Sequence, residues 1–497
     1  MIALACTTAG FLSFDGLQHW FVLPVSLCGV LMLRDAMPWF RGRADILSPT
    51  AILGIFGTFF FYLAPLLHVV LDVWMRYVTA PTDWRPWLGW MATINLAGLS
   101  LYTLLRQRRK GTRAVGTQKW KLDRGRFAGL LVLAAVIALA AQATLWATTG
   151  GIGGYAAIYE DSLLTGQDAL AGKGWLVVLG ESFPSLLFMG FLVAARRRRG
   201  LRASGMLSLS FLACIGLQFL FGGMRGSRAN TVWFAVWAVG AVHCWLRKVP
   251  RPVIYAGGFA ILLFTFLLGF AKDVGFSEGL AIKSQADIDA LTARTGRTKE
   301  ATLLGDFGRS DVQAFVLYRS ATDHYSPDLA LGRTYLGDIA MLVPKAVWQD
   351  RPPGKSKWTT ETEYGQGSYP TLRSSRIYGL VGEFALNFGF WLSPLAFVPL
   401  AFCVRSIESW PTKLDGNDPR RLLFPFAAIL PIVLVAFDLD NCVWLFTKFV
   451  VPLGVIILLS LRPANALGRR GTRETLSKSL LSRWQAGRLG AHPTAAP

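Results

Sequence analysis

Charged residues are scarce in this 497-residue sequence: they make up 16% of the chain, while hydrophobic residues make up 53%. A soluble domain carries about 25% charged residues, so this chain has too little charge to cover a water-exposed surface. It has instead several uncharged runs of the length that a bilayer-spanning helix needs, roughly 20 apolar residues. The composition excludes an ordinary soluble globular protein and predicts a polytopic membrane protein.

The sequence also lacks the usual signatures of metal and nucleotide chemistry. Its six cysteines include no CxxC pair, and its five histidines show no spacing typical of metal ligands. No GxxxxGK[ST] loop occurs, and no GxGxxG turn lies between a strand and a helix. We therefore expect no cofactor, no metal centre and no disulfide framework.

Eleven uncharged runs predict an all-α fold of about 11 transmembrane helices, with 10 to 12 as the range. The predicted spans are approximately residues 17–33, 50–71, 87–105, 127–147, 175–195, 205–222, 230–246, 253–270, 378–402, 422–437 and 442–461. The chain then divides into residues 1–270 with the first eight helices, a large external loop at 271–377, the last three helices at 378–461, and a basic cytoplasmic tail at 462–497. The loop contains helix-like stretches at 311–321 and 335–348, so we expect it to be partly folded on the membrane surface.

The basic residues indicate which side of the membrane each loop faces. If the odd-numbered gaps are cytoplasmic, those gaps and the tail hold 31 of the 51 Lys and Arg residues, and the short external loops hold five. This asymmetry follows the positive-inside rule. It accounts for the net charge of +21 without nucleic acid as a partner, and it predicts a multi-pass protein of the bacterial cytoplasmic membrane in contact with lipid headgroups.

A Gly-rich turn, GGMRGSRAN at residues 222–230, lies between two predicted spans on the external side. It carries Arg225 and Arg228, whose guanidinium groups offer planar, paired donors to an anionic oxygen. Both run against the positive-inside bias, which favours a specific role over a headgroup contact. Glu181 and Lys448 are charges inside predicted spans, where a charge is costly without a partner or a wet cavity.

Two further stretches carry polar residues at the external surface. The apolar run from Leu336 to Trp348 is too short to span a bilayer, and it places Lys345 and Arg351 near the headgroups; an amphipathic surface helix with snorkelling cations is the alternative interpretation. In the second stretch, GEFALNFG at residues 382–389, Glu383 and Asn387 are four residues apart and share a helix face. Arg376 precedes them by about two turns, and a structural Glu–Arg pair that closes the helix bundle is the alternative there.

Together these three stretches resemble the oligosaccharide repeat unit polymerases, the O-antigen polymerase (Wzy-type) family. That family shares an external Gly/Ser/Arg turn, a Pro-basic-x-x-Trp-x-x-basic-Pro stretch in its large external loop, and Gly-Glu-x-x-x-Asn-Phe-Gly at the start of the next span. The corresponding residues here are 225–228, 344–352 and 382–389. The resemblance is closest over about residues 220–390.

The resemblance implies an enzyme that joins oligosaccharide units carried on undecaprenyl diphosphate at the outer face of the membrane, with a chain-length regulator and a flippase as candidate partners. The lipid-linked donor carries its own leaving group, the diphosphate, and preorganised cations suit the charge that develops on that group. A carboxylate would accept or orient the proton of the attacking hydroxyl. We expect substrate contacts from Arg225, Arg228, Lys345, Trp348, Arg351 and Glu181, and catalytic roles for Glu383, Arg376 and Asn387, with His324 as an alternative base.

Three other classes compete with this interpretation. An O-antigen ligase would have a similar helical body and external loop, and these residues do not distinguish it from a polymerase. A polysaccharide flippase or exporter should spread intramembrane charges over many spans and commonly has repeated halves; here the charges are few and lie near the external face. A metal-dependent hydrolase would need a His/Asp/Glu constellation that the sequence does not contain.

Overall fold

The computed structural model describes residues 2–75, 78–107, 119–165, 170, 172–274, 284, 286–287, 289, 298, 300, 303–305, 308–322, 328–344, 347–372, 374 and 376–463. Within these residues nearly all of the regular secondary structure is helical. Its helices are α1 (Ile2–Ser13), α2 (Val22–Phe40), α3 (Pro49–Thr58), α4 (Ala64–Val70), α5 (Arg85–Gln107), α6 (Arg124–Thr148), α7 (Gly151–Thr165), α8 (Gly174–Gly180), α9 (Phe183–Ala195), α10 (Ser204–Gln218), α11 (Arg228–Trp245), α12 (Arg251–Val274), α13 (Ser310–Ala321), α14 (Arg333–Ala340), α15 (Ser356–Tyr364), α16 (Gly379–Phe388), α17 (Phe397–Glu408), α18 (Trp410–Lys413), α19 (Phe424–Ala436), α20 (Leu439–Leu445) and α21 (Val451–Leu459).

Three π-helical turns interrupt or extend these helices. Phe59–Leu63 joins α3 to α4, Phe219–Gly223 extends α10, and Phe446–Val450 joins α20 to α21. A 3₁₀ segment, Phe390–Ala396, leads into α17. Such π turns widen a helix locally and are frequent at functional sites.

Nine helical segments among the described residues are long and apolar enough to cross a membrane. They are Val22–Phe40, Pro49–Val70, Arg85–Gln107, Arg124–Thr148, Gly174–Ala195, Ser204–Gly223, Arg251–Leu268, Phe390–Lys413 and Leu439–Leu459. The chain is therefore an all-α polytopic membrane protein. The predicted spans at 230–246 and 422–437 coincide with α11 and α19, which are not among these nine, so the count of eleven stays a prediction.

Two predicted boundaries in the second half of the chain were wrong. The predicted span at 378–402 begins instead at Phe390, because Gly389 adopts φ +84° and ends α16 before the membrane-spanning segment starts. The predicted helix at 335–348 ends at Ala340. The helix predicted at 311–321 is confirmed by α13.

Buried apolar side chains form two main cores. The first core includes residues of α2, α5, α13, α16 and α17, with Tyr102, Phe315 and Phe397 fully enclosed. The second includes residues of α6, α9, α11, α19 and α21, with Phe188 and Trp237 fully enclosed. Helix α20 follows α19 and contacts α14, which belongs to the region predicted to be external.

The end of α21 is tied back to the start of α6. Two short strands, β1 (Trp120–Leu122) and β2 (Leu461–Pro463), pair in antiparallel register with Trp120 opposite Pro463. Nε of Arg462 lies 2.6 Å from the Asp123 carboxylate. This pairing holds the last span of the chain against α6 at the side predicted to be cytoplasmic.

Candidate functional site

Glu181 is the centre of a buried polar cluster inside the second core. The residue lies at the junction of α8 and α9 within the span Gly174–Ala195, and its exposed fraction is 0%. Nε of Arg225 lies 2.7 Å from one carboxylate oxygen, and Nδ2 of Asn230 donates to the other at 2.7 Å. Lys448 forms an ion pair with that second oxygen. The carboxylate therefore meets two cations, as a charge within a membrane requires.

Two helical irregularities bring these residues together. Lys448 lies in the π turn Phe446–Val450, and its Nζ also donates to Oδ1 of Asn230 at 2.6 Å. The other π turn, Phe219–Gly223, directly precedes the loop that carries Arg225. The Tyr155 hydroxyl donates to the Phe221 carbonyl within this turn at 2.7 Å. The local widening of both helices places the cations beside Glu181.

Gly222 allows this close approach. A Cβ atom at residue 222 would lie 2.6 Å from Nδ2 of Asn230 and 2.9 Å from Cδ of Glu181, which is too close for any side chain. Gly222 is therefore the glycine of the GGMRGSRAN turn that packing against the buried Glu181 carboxylate requires.

We expect Gly222→Ala to lower the free energy of unfolding by about 1–3 kcal/mol, because it overpacks a filled interior. Gly216→Ala is the matched control, since a Cβ at residue 216 of the same helical segment meets nothing within 4 Å. Equilibrium unfolding of the two purified variants in detergent measures the difference. Equal stability of the two variants would contradict this account of residue 222.

A cavity of about 430 Å³ opens next to the Glu181 cluster. Its lining includes the two cations Arg225 and Lys448 and the amides of Asn230 and Asn441. The aromatic side chains Trp233, Phe437 and Trp444 and the apolar residues Leu170, Val177 and Leu445 form much of the rest. This volume lies within the range of small-molecule sites, which combine apolar walls with a few convergent polar groups. The cavity offers positive charge and aromatic faces together.

A second polar cluster surrounds Glu383 on α16. Oε1 of Glu383 accepts a hydrogen bond from the Thr334 hydroxyl at 3.0 Å, and Oε2 accepts one from the Leu439 N–H at 2.7 Å. Nδ2 of Asn387 donates to the same Thr334 hydroxyl at 2.6 Å, while its Oδ1 accepts from the Gly332 N–H at 2.8 Å. Glu383 and Asn387 thus share a face, as predicted from their spacing. Together they fasten α14 and the start of α20 to α16.

Lys355 lies between the carboxylates of the α20 N-terminus. Its Nζ forms an ion pair with Asp438, donates to the Arg376 carbonyl at 3.2 Å, and lies 3.8 Å from Oδ1 of Asp440. The Asp438 carboxylate also accepts the N–H groups of Tyr378 and Gly379, at distances of 2.6–3.1 Å. Lys355 and Asp438 therefore join the segment before α15 and the start of α16 to the start of α20.

Asp338 and Glu383 are two enclosed carboxyl groups outside the candidate membrane-spanning segments. Burial raises the pKa of Asp338 to about 6, and the charge of Asp440 adds to this effect. Burial, with the charges of Asp438 and Asp338, raises the pKa of Glu383 well above its ordinary value. Oδ1 of Asp338 accepts the Lys355 N–H at 3.0 Å, while its Oδ2 is buried without a hydrogen-bond partner. Both pKa shifts favour the protonated, uncharged form of these carboxyl groups.

The first turns of α20 connect the two clusters. Asp438 precedes the helix and binds Lys355, the Leu439 N–H binds Glu383, and Asn441 lines the cavity. Lys448, two to three turns further along, completes the cavity beside Glu181. The start of α20 therefore contacts the Glu383 cluster, and Lys448, in the π turn that follows α20, contacts the Glu181 cluster.

The other predicted site residues have structural contacts or lie elsewhere. Nη1 of Arg228 donates to the Thr265 carbonyl at 3.1 Å, and Arg351 donates to the Met341 and Val343 carbonyls at the end of α14. Nε of Arg376 is 3.4 Å from Oε2 of the buried Glu363, and Trp348 is exposed. Lys345 and His324 lie outside the described residues.

Sequence reasoning missed Asp338, Lys355, Asp438 and Asp440 as members of the site. The sequence offered a signal for two of them, Asp438 and Asp440. They belong to the sequence DLDN at 438–441, a short gap between two predicted spans that is itself predicted to be external. Among the described residues, no three His, Cys, Asp or Glu side chains are arranged to hold a metal ion.

No protein-family model matches the sequence, and no curated protein or solved structure matches it either.

Proposed function

We propose that the chain is a membrane glycosyltransferase that polymerises oligosaccharide repeat units carried on undecaprenyl diphosphate, at the outer face of the bacterial cytoplasmic membrane. The observation that carries this proposal is the cavity beside Glu181. Its wall contains Arg225 and Lys448 together with the aromatic side chains Trp233 and Trp444. Cations for a diphosphate leaving group and flat faces for a sugar therefore line one cavity.

The depth of the cavity suits a lipid-linked substrate. Glu181 is seven residues from the start of its span and Lys448 nine residues from the start of its own, which corresponds to about 10–14 Å of helix rise. Both starts are predicted to be external. To meet these cations, the diphosphate would enter the cavity from the outer half of the membrane and move below headgroup level, with its first sugar above and its isoprenoid chain below.

In the proposed reaction the cations act on charge that develops during bond breaking. As the bond between the anomeric carbon and the diphosphate oxygen lengthens, negative charge grows on the diphosphate. Preorganised Arg and Lys groups in a site with little water stabilise such charge more than bulk solvent does. Trp233 and Trp444 offer flat faces for a sugar ring. Glu383 and Asn387 are enclosed, and their hydrogen bonds hold α14, α16 and the start of α20 together.

Removal of one cavity cation tests the proposal in cells. In a strain that lacks the native chain, we expect wild-type protein to restore polymer and Arg225→Gln to leave single repeat units on the lipid carrier at the outer face. Arg198→Gln, at an exposed residue of the predicted cytoplasmic side, is the matched control. Immunoblots of membranes confirm equal protein abundance.

The place and length of the accumulated saccharide distinguish the rival functions. Units trapped on the cytoplasmic side would indicate a flippase or exporter, and long polymer left on the carrier would indicate a ligase. Either result would remove the polymerase proposal. Accumulation of single units on the outer face separates the polymerase from both.

A further inference from the structure

Helix α14 has the opposite polarity to a helix that faces water. It encloses its polar residues, since Thr334 and Asp338 have exposed fractions of 0% and 1%. Its apolar residues Leu336 and Ile339 are 56% and 54% exposed. A surface helix in water turns its apolar residues inward and its polar residues outward. The reverse arrangement is typical of a helix that contacts lipid on its outer side.

The inner face of α14 is fixed by hydrogen bonds and by close packing. The Thr334 hydroxyl donates to Oε1 of Glu383 at 3.0 Å, and Oδ1 of Asp338 accepts a backbone N–H at 3.0 Å. A Cβ atom at residue 337 would lie 2.2 Å from the Pro353 carbonyl oxygen, so the backbone of α14 lies directly against that segment. The two faces are therefore not interchangeable, and the apolar face points away from the protein.

Both ends of α14 are fastened close to the beginning of a membrane-spanning segment. Before the helix, the Leu331 N–H donates to the Asn387 carbonyl at 2.9 Å, three residues ahead of the span that begins at Phe390. After the helix, Nε1 of Trp175 donates to the Leu342 carbonyl at 3.1 Å, and Trp175 is the second residue of its span. Both of these span ends are predicted to be external. The helix, about 12 Å long, therefore lies at the level of the outer surface of the bilayer.

The side chains around the apolar face are those of a membrane interface. Leu331 is 68% exposed beside the start of α14, and Trp391, the second residue of its span, is 74% exposed. Tryptophan is enriched where a chain crosses the boundary between membrane and water. Arg333 is exposed at the first residue of α14. An arginine at this place lays its stem along apolar surface and extends its guanidinium group to a lipid phosphate.

We propose that α14 is embedded in the outer leaflet of the bilayer, with Leu336 and Ile339 against the lipid acyl chains and Arg333 at the phosphates. The partner of this surface is the lipid itself. Eight residues are too few to cross a bilayer, so the chain enters and leaves the membrane on one side. The embedded helix ends next to α8, whose Gly174 and Val177 line the cavity. This placement requires no catalytic activity.

The test uses the full chain in nanodiscs of phosphatidylethanolamine and phosphatidylglycerol. A photoreactive residue is introduced at one position at a time, as Leu336→p-benzoylphenylalanine or Ile339→p-benzoylphenylalanine, and mass spectrometry counts the lipid adducts after irradiation. We expect adducts at both positions in amounts similar to those from residue 392, which is 51% exposed within the span Phe390–Lys413. The matched polar control is residue 366, an exposed glutamine in the turn after α15, which should give almost none.

The substitutions at residues 336 and 339 replace exposed side chains, so they displace no packed group, and size-exclusion elution at the wild-type volume confirms the fold. An adduct yield at these two positions no higher than at residue 366 overturns the inference, because it places the apolar face in water. Crosslinks to a second copy of the chain in place of lipid also overturn it, since they assign the face to self-association. Lipid adducts at both positions support the embedded helix whether or not the protein polymerises saccharide.

Discussion

Replacement of Lys355 by methionine should lower the free energy of unfolding by about 3–5 kcal/mol, the cost typical of removing one partner from a buried ion pair. Lys355 is buried between Asp438 and Asp440, and Asp438 is fully enclosed. Without the ammonium group, a buried carboxylate would remain beside Asp338 and Glu383, which are also acidic. Methionine keeps the length of the side chain, so the loss of charge dominates the effect.

Two comparisons separate this effect from loss of packing. Lys357→Met changes the same residue type two residues away, where the partly exposed lysine lies 5.7 Å from the centre of the Trp358 ring, and should cost less than about 1 kcal/mol. The double variant Lys355→Met/Asp438→Asn removes both charges and should be more stable than Lys355→Met alone. Unfolding in SDS titrations provides the measurement. Equal losses for Lys355→Met and Lys357→Met would contradict the role of the ion pair.

The sequence predicted the membrane fold well because composition alone carries that signal. Nine of the eleven predicted spans overlap helices that are long and apolar enough to cross a membrane. The start of the span at Phe390 was missed for a physical reason. Residues 377–402 are almost continuously apolar, so hydropathy does not detect the change of direction that Gly389 introduces through its positive φ.

Several residues of the candidate site could be recognised one at a time from the sequence, but the contacts between them could not. Glu181 and Arg225 each stand out as charges next to or within spans, yet they are far apart in sequence and only the packing of their helices pairs them. Glu383 and Asn387 were recognised from their spacing on one helix. Lys355 gave no such signal, since a lysine in a long polar loop is ordinarily solvated. Its burial depends on Asp438, which lies beyond two predicted spans.

Stability should fall as the pH rises through the window in which the enclosed carboxyl groups of Asp338 and Glu383 ionise. The pKa of Asp338 in the folded chain is about 6, whereas an unfolded aspartate titrates near 3.9. Between these values the folded state holds more protons than the unfolded state. The free energy of unfolding therefore decreases with rising pH, by up to about 1.4 kcal/mol per pH unit for one proton. The raised pKa of Glu383 changes the free energy of unfolding in the same direction and extends its decrease toward higher pH.

We expect Asp338→Asn to remove much of this dependence. The amide donates a hydrogen bond to Glu383 as a protonated carboxyl group does, and its oxygen still accepts the Lys355 N–H. The variant should gain stability relative to wild type as the pH rises from 4 to 6, up to about 3 kcal/mol. The charged groups that face Asp338 are Glu383, Asp440 and Lys355, and all three are retained. Unfolding titrations at pH 4, 5, 6, 7 and 8 measure the difference, with Asp350→Asn as the exposed control. A constant difference between Asp338→Asn and wild type across this range would show that the pKa of Asp338 is not raised in the folded protein.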